Sequence, residues 1–101
     1  MTERSTPASA ATTDEPSDAE LVRQARTASG KAAFAALYRR YLTPVYRYFC
    51  ARTGDAGLAE DLTSQTFVAV LEGLPRYQER GSFAGWLFTI AARRLADHMR
   101  S

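Results

Sequence analysis

The 101-residue sequence predicts an all-α domain, a compact bundle of about four helices. Three observations carry that prediction. Apolar residues recur at spacings of three and four over long stretches. The first three of those stretches each close on a glycine or a proline. Alternating apolar–polar runs and Asn-Gly or Asp-Gly hairpin turns are absent, so no sheet is expected. The domain is assigned to residues 17–101, and no internal repeat divides it.

Residues 1–16 (MTERSTPASAATTDEP) are Ser, Thr, Ala and Pro with a few acids and no apolar period, and are expected to form a disordered leader. At Ser17 the character changes. Ser17-Asp18-Ala19-Glu20 has the spacing of a capping box, in which each side chain satisfies the other's backbone donor. A short helix is predicted from there to about Thr27, burying Leu21, Val22 and Ala25, with Ser29-Gly30 ending it.

In the second stretch Phe34, Leu37, Tyr38, Tyr41, Val45, Tyr48 and Phe49 share one helical face, and Arg39, Arg40, Arg47 and Arg52 fall elsewhere. Pro44 removes one backbone donor, but the stripe resumes in phase after it, so a kink is expected and not a break. Gly54 closes this helix and Asp55 can cap the next. That third helix is predicted over Ala56–Gly73, with Leu58, Leu62, Phe67, Val70, Leu71 and Leu74 inward and Glu60, Asp61, Ser64 and Gln65 towards solvent. Pro75 stops it. After a polar, basic loop (PRYQERG, 75–81), Ser82 is expected to cap a fourth helix with a buried stripe of Phe83, Trp86, Leu87, Ile90 and Leu95.

Composition narrows the function. Cys50 is the only cysteine and His98 the only histidine, which excludes an internal disulfide and a cysteine-rich metal site. The two lie on different predicted helices with no third partner, a poor catalytic set. Glu60 and Asp61 are consecutive on a helix and point about 100° apart, so they would not share a proton. There is no glycine-rich phosphate loop and no HExxH pair. The expectation is a binding module without enzymatic activity, cofactor or metal. Cys50, at the end of an aromatic stripe, reads as a small hydrophobe. No apolar run reaches transmembrane length and no signal peptide is visible, so a soluble, cytoplasmic protein is expected.

Charge is unevenly distributed. Residues 1–20 hold five acids against Arg4, which leaves the other 81 residues with +6 of the chain's net +2. Such a basic segment suits a polyanion such as nucleic acid, though a solvated surface would look the same. On the fourth helix Thr89, Arg93 and Arg100 fall on one face, opposite the apolar stripe. With Arg76 and Arg80 in the preceding loop they form a candidate electropositive surface, and planar guanidinium groups suit phosphate. Tyr77 sits between them. Its ring either stacks on an unpaired base or packs over the end of the third helix, and the sequence leaves both open.

These residues also carry a family resemblance. EDLTSQTFVAVL at 60–71, followed by LPRYQERGSFAGWLFTIAARRLADHMR at 74–100, resembles conserved region two of extracytoplasmic-function sigma factors. AFAALYRRYLTPVYRYF at 33–49 resembles the helix that opens that region. The resemblance covers about residues 18–101. It implies a sigma region-two fold and a role in transcription initiation, with core RNA polymerase and the non-template strand of promoter DNA as partners. It implies that the third helix binds the clamp coiled coil of the polymerase's largest subunit through Asp61, Ser64, Gln65 and Phe67. The family pattern there reads roughly Asp-Leu-x-Gln-Glu-x-Phe. Asp61, Leu62 and Phe67 match it, whereas Ser64 and Gln65 stand where Gln and Glu are usual. Asp61 and Gln65 are the expected polar contacts, and Phe67 could equally serve the core. An exposed ion pair lost there would cost only about 0–1 kcal/mol.

For the loop and fourth helix the resemblance implies recognition of the minus-ten element, with a flipped base captured in a pocket formed by the loop. Arg76, Tyr77, Arg80, Thr89, Arg93 and Arg100 are the expected DNA-binding residues. Flipping costs a few kcal/mol, which stacking of about 1–3 kcal/mol per base must offset. Housekeeping sigma factors wedge the duplex with two adjacent tryptophans. Here Gly85 precedes a lone Trp86 on the buried stripe, which implies weaker melting. The family normally continues into a second domain that reads the minus-thirty-five element. A chain ending at Ser101 is therefore expected to be an excised domain or a stand-alone one. Two rival readings follow from the residues: a helix-turn-helix regulator of duplex DNA, and a protein-interaction bundle. The first is opposed by the long loop before the fourth helix. The resemblance lends the second some support, because such sigma factors are commonly held by anti-sigma proteins.

Overall fold

A computed structural model describes residues 15–27 and 30–101, and the leader up to Asp14 and the Ser29 helix stop lie outside them. Four α-helices follow in order: α1 (Asp18–Ala25), α2 (Lys31–Thr53), α3 (Ala56–Gly73) and α4 (Phe83–Arg100). A 3-10 turn, Leu74–Arg76, joins α3 to the loop before α4. No strand occurs among the described residues.

Helix ends follow local chemistry. Ser17, Asp55 and Ser82 each accept a backbone N–H one turn on, from Glu20 at 3.1 Å, Leu58 at 3.0 Å and Gly85 at 2.9 Å. Each satisfies one of the orphan donors of a first turn. At Ser17 it is this half of the reciprocal cap that forms. Gly54 ends α2 with φ 67°, a left-handed conformation that glycine adopts without a Cβ clash, and its N–H donates to the Cys50 carbonyl. The helix α2 runs through Pro44 without ending.

The core gathers Leu21 and Val22 from α1, Leu37, Val45 and Phe49 from α2, Leu62, Phe67 and Val70 from α3, and Phe83, Leu87 and Ala91 from α4. Cys50 is half-buried against it. Three expectations need correction. Ala25 is half-buried, not buried. So are Trp86, Ile90 and Leu95 of the expected buried stripe on α4. On α3 the inward face also holds Ala59, Thr63 and Thr66, while Leu71 is 53% exposed. The threonines tolerate burial because their hydroxyls donate to the Ala59 and Leu62 carbonyls, at 2.7 and 2.8 Å. With those positions turned inward at about 100° per residue, Leu71 falls on the flank and Val68, 55% exposed, lies opposite the core.

Candidate polymerase and strand-binding surfaces

The outward face of α3 presents Asp61, Ser64, Gln65, Val68, Leu71 and Glu72, all exposed. Its sequence contains three acids and no base. Asp61, Ser64 and Gln65 are thus accessible together, as expected. Phe67 is not: it is 5% exposed, and the Tyr38 ring meets it edge-on at 4.9 Å, so this expected contact is spent on the interior. Val68 and Leu71, which the sequence reading missed or placed inward, supply apolar surface in its stead. An open groove of about 550 Å³ between α2 and α3 adjoins this face through Ser64, with Tyr38, Leu42, Tyr46 and Glu60 on its walls. The Tyr46 hydroxyl is held above its ordinary pKa, first by its neighbour Cys50 and further by nearby Glu60.

The other surface begins at the 3-10 turn. Arg76 and Arg80 are exposed, whereas Tyr77 is 6% exposed. Its ring lies 4.6 Å from that of Trp86 and 6.2 Å from that of Phe83, which closes an aromatic triangle under the loop. Burial raises the Tyr77 pKa, with the Glu79 and Asp18 charges adding to it. The ring is therefore a wall of the loop and not an exposed stacking platform, which corrects one of the two roles left open. Trp86 belongs to the same triangle and is no free wedge. Gly73 permits its approach, because a Cβ there would sit 3.0 Å from the indole Cζ2.

On α4, Thr89, Arg93 and Arg100 all face solvent. Their chemical readiness differs. The Thr89 hydroxyl donates to the Gly85 carbonyl at 2.8 Å, leaving that oxygen as an acceptor, the wrong polarity for phosphate. Arg100 is paired with Asp97. Arg76, Arg80 and Arg93 make no ion pair among the described residues and remain the readiest phosphate partners. At the loop's other flank, residues of the α1 N-terminus and of the loop enclose a cleft of about 280 Å³ lined by Ser17, Asp18, Tyr77, Glu79, Ser82 and Phe83. That is close to the lower limit of small-molecule pockets, a size for one planar ring system. No cluster of His, Cys, Asp and Glu suited to a metal occurs among the described residues, and no helix among them is long and apolar enough to cross a membrane.

Fold and surfaces together define a helical module with an exposed acidic–apolar face on one helix and an arginine-bearing loop and helix beside it. Residues 37–101 match the family model described as Sigma-70 region 2, and the chain belongs to that family. It is 44% identical over 84 residues to the ECF RNA polymerase sigma factor BldN of Streptomyces coelicolor, covering 81% of this chain and 31% of that protein. It is 42% identical over 52 residues to the ECF RNA polymerase sigma factor SigC of Mycobacterium tuberculosis, covering 52% of this chain and 28% of the relative. To the RNA polymerase sigma factor YlaC of Bacillus subtilis it is 40% identical over 55 residues, covering 54% and 32%. The chain thus spans about a third of the length of these curated relatives. No solved structure matches it.

Proposed function

We propose that this chain is the region-two module of an extracytoplasmic-function sigma factor, a non-catalytic, cytoplasmic initiation module. In this reading it docks on the clamp coiled coil of core RNA polymerase through α3 and holds the unpaired non-template strand of the minus-ten element through residues 76–100. The supporting observation is the segregation of charge between adjacent elements. The α3 sequence carries Glu60, Asp61 and Glu72 with no base, whereas residues 74–101 carry five arginines against two acids. A polyanion is repelled from the first surface and attracted to the second, so protein and strand can be held at once.

On α3, Asp61 and Gln65 supply polar contacts, and Val68 and Leu71 supply the apolar area that gives a protein interface its affinity. An anti-sigma protein that covers this face would compete with polymerase. On the strand side, Arg76, Arg80 and Arg93 neutralise phosphates, and the cleft beside Tyr77 and Phe83 receives the flipped base. With Trp86 packed against Tyr77 and Phe83, duplex opening depends on capture of the strand and not on a tryptophan wedge. A duplex-binding helix-turn-helix regulator is disfavoured because residues 74–82 separate α3 from α4 where a tight turn is needed.

The test is to titrate the chain with a clamp coiled-coil fragment, and separately with single- and double-stranded probes of one sequence. Clamp binding weakened by Asp61→Ala, together with preference for the single strand, supports the proposal. Duplex preference without clamp binding contradicts it.

A further inference from the structure

The family match begins at Leu37, after α1. Yet α1 touches the strand-facing loop at both of its ends. At its C-terminal end Arg26 Nη2 donates to the Pro75 carbonyl at 3.3 Å, and Arg23 faces Glu79 at 3.8 Å. At its N-terminal end Ser17 and Asp18 form one side of the cleft whose other side is Tyr77, Glu79, Ser82 and Phe83.

The α1 helix is itself anchored to α2. Asp18 accepts from Arg40 Nη1 at 2.7 Å on one carboxylate oxygen and from the Tyr41 hydroxyl on the other. Arg40 also reaches the Pro16 carbonyl at 3.0 Å. Both members of the Asp18–Arg40 pair are largely withdrawn from solvent, with side chains 25% and 30% exposed. The Tyr41 ring then meets Phe83 at 5.6 Å, and Phe83 meets Tyr77. Contacts thus run from α2 to the loop by two routes, one through α1 and one through Phe83. Beyond the buried Tyr77 ring, the loop has little else to hold it. Its backbone bonds outside the flanking helices are Tyr77 N–H to Leu74 and Arg80 N–H to Gln78, and Gly81 sits at φ 79°.

We infer that α1 is a brace for the strand-reading loop, and that Arg26 and Asp18 are positioning residues for strand capture. Arg26 lies outside the lining of the cleft. Arg26 fixes the start of the loop through a backbone carbonyl. Asp18, with both oxygens engaged by α2, fixes the helix that walls the cleft. A loop held in its receiving conformation binds the strand without a further ordering cost. The inference rests on the strand-binding reading above for its purpose, but the bracing itself is measurable without DNA.

The test uses the whole 101-residue chain and the variants Arg26→Ala, Arg26→Lys and Asp18→Asn. The first readout is amide hydrogen exchange of residues 76–82 in the free protein. The second is binding of a short fluorescein-labelled single-stranded DNA of mixed sequence across a salt series. Arg26→Ala should speed exchange of the loop amides by about fivefold, the loss of one hydrogen bond. It should weaken strand binding by a similar factor without changing the salt slope. Arg26→Lys, which can still donate to the carbonyl, should restore both. Asp18→Asn should loosen the same amides from the other end. Unchanged exchange in both Arg26→Ala and Asp18→Asn overturns the brace. A salt slope reduced by about 0.7 in Arg26→Ala makes Arg26 a phosphate contact and overturns its positioning role. Faster exchange in a chain that binds no single strand supports the brace and overturns the strand-binding reading.

Discussion

Truncating the two exposed apolar side chains of α3, as Val68→Ala with Leu71→Ala, separates docking from folding. Val68 is 55% and Leu71 53% exposed, so about half of each side chain remains to be buried by a partner. Full burial of a Val or Leu side chain stabilises by about 1.5–3 kcal/mol, so each exposed half is worth about 1 kcal/mol. The two residues are three apart on one face and their effects will not add completely. A combined loss of about 1–2 kcal/mol, roughly a 5- to 30-fold rise in Kd for the clamp fragment, is expected. Folding stability should change by less than about 0.5 kcal/mol, because both sites face solvent and alanine is the better helix former. The assay pairs calorimetric titration of the clamp fragment with urea unfolding of the free chain. The apolar loss should persist at high salt, whereas the effect of Asp61→Ala should shrink there. Unchanged affinity in the double variant, with the fold intact, would refute the assignment of this face to the polymerase.

Further outcomes follow from the other surfaces. Arg93→Ala should weaken single-strand binding and lower the salt slope by about 0.7, while Thr89→Val should do little because that hydroxyl already donates within α4; fluorescence anisotropy across a salt series checks both. Tyr77→Ala should destabilise the fold by about 3 kcal/mol through loss of the aromatic triangle, with Tyr77→Phe close to neutral, as read by urea unfolding. Gly73→Ala pushes a methyl against Trp86 and should cost about 1 kcal/mol or more despite the better helix propensity, measured by thermal unfolding with Trp86 fluorescence as the probe. The Tyr41 pKa is raised to about 12, first by burial and then by its hydrogen bond to Asp18. The fold therefore favours the protonated phenol. That contribution is complete below pH 10 and is lost as pH rises from about 10 towards 12, so alkaline unfolding should be shallower in Tyr41→Phe.

The helices were legible because their signals are local. The Asp55 and Ser82 caps, the Gly54 stop and the bounds of α3 all depend on residues within one turn of each end. What escaped were properties set by neighbours. Apolarity counts Leu71 as inward and gives Thr66 no place there, but the face of α3 is chosen by α2 and α4, and a threonine that bonds its own helix can be buried. In the same way, no periodicity tells that Phe67 is buried and Val68 exposed. The arginines of 76–100 were readable as a surface from their spacing alone. Their differing readiness was not, because it depends on Asp97 and the Gly85 carbonyl. The bonds from α1 to the loop were equally hidden, since Arg26 and Pro75 lie far apart in the chain and neither belongs to a motif.

The most direct test places a photoreactive group on the bases of a non-template minus-ten strand, in complex with this chain and core RNA polymerase, and maps the crosslinks by residue. Crosslinks confined to residues 76–100 and the α1 wall of the cleft, with 61–72 protected by the clamp, are the predicted result. Crosslinks concentrated on the outward face of α3, or a map unchanged when the strand is replaced by duplex, would contradict the account.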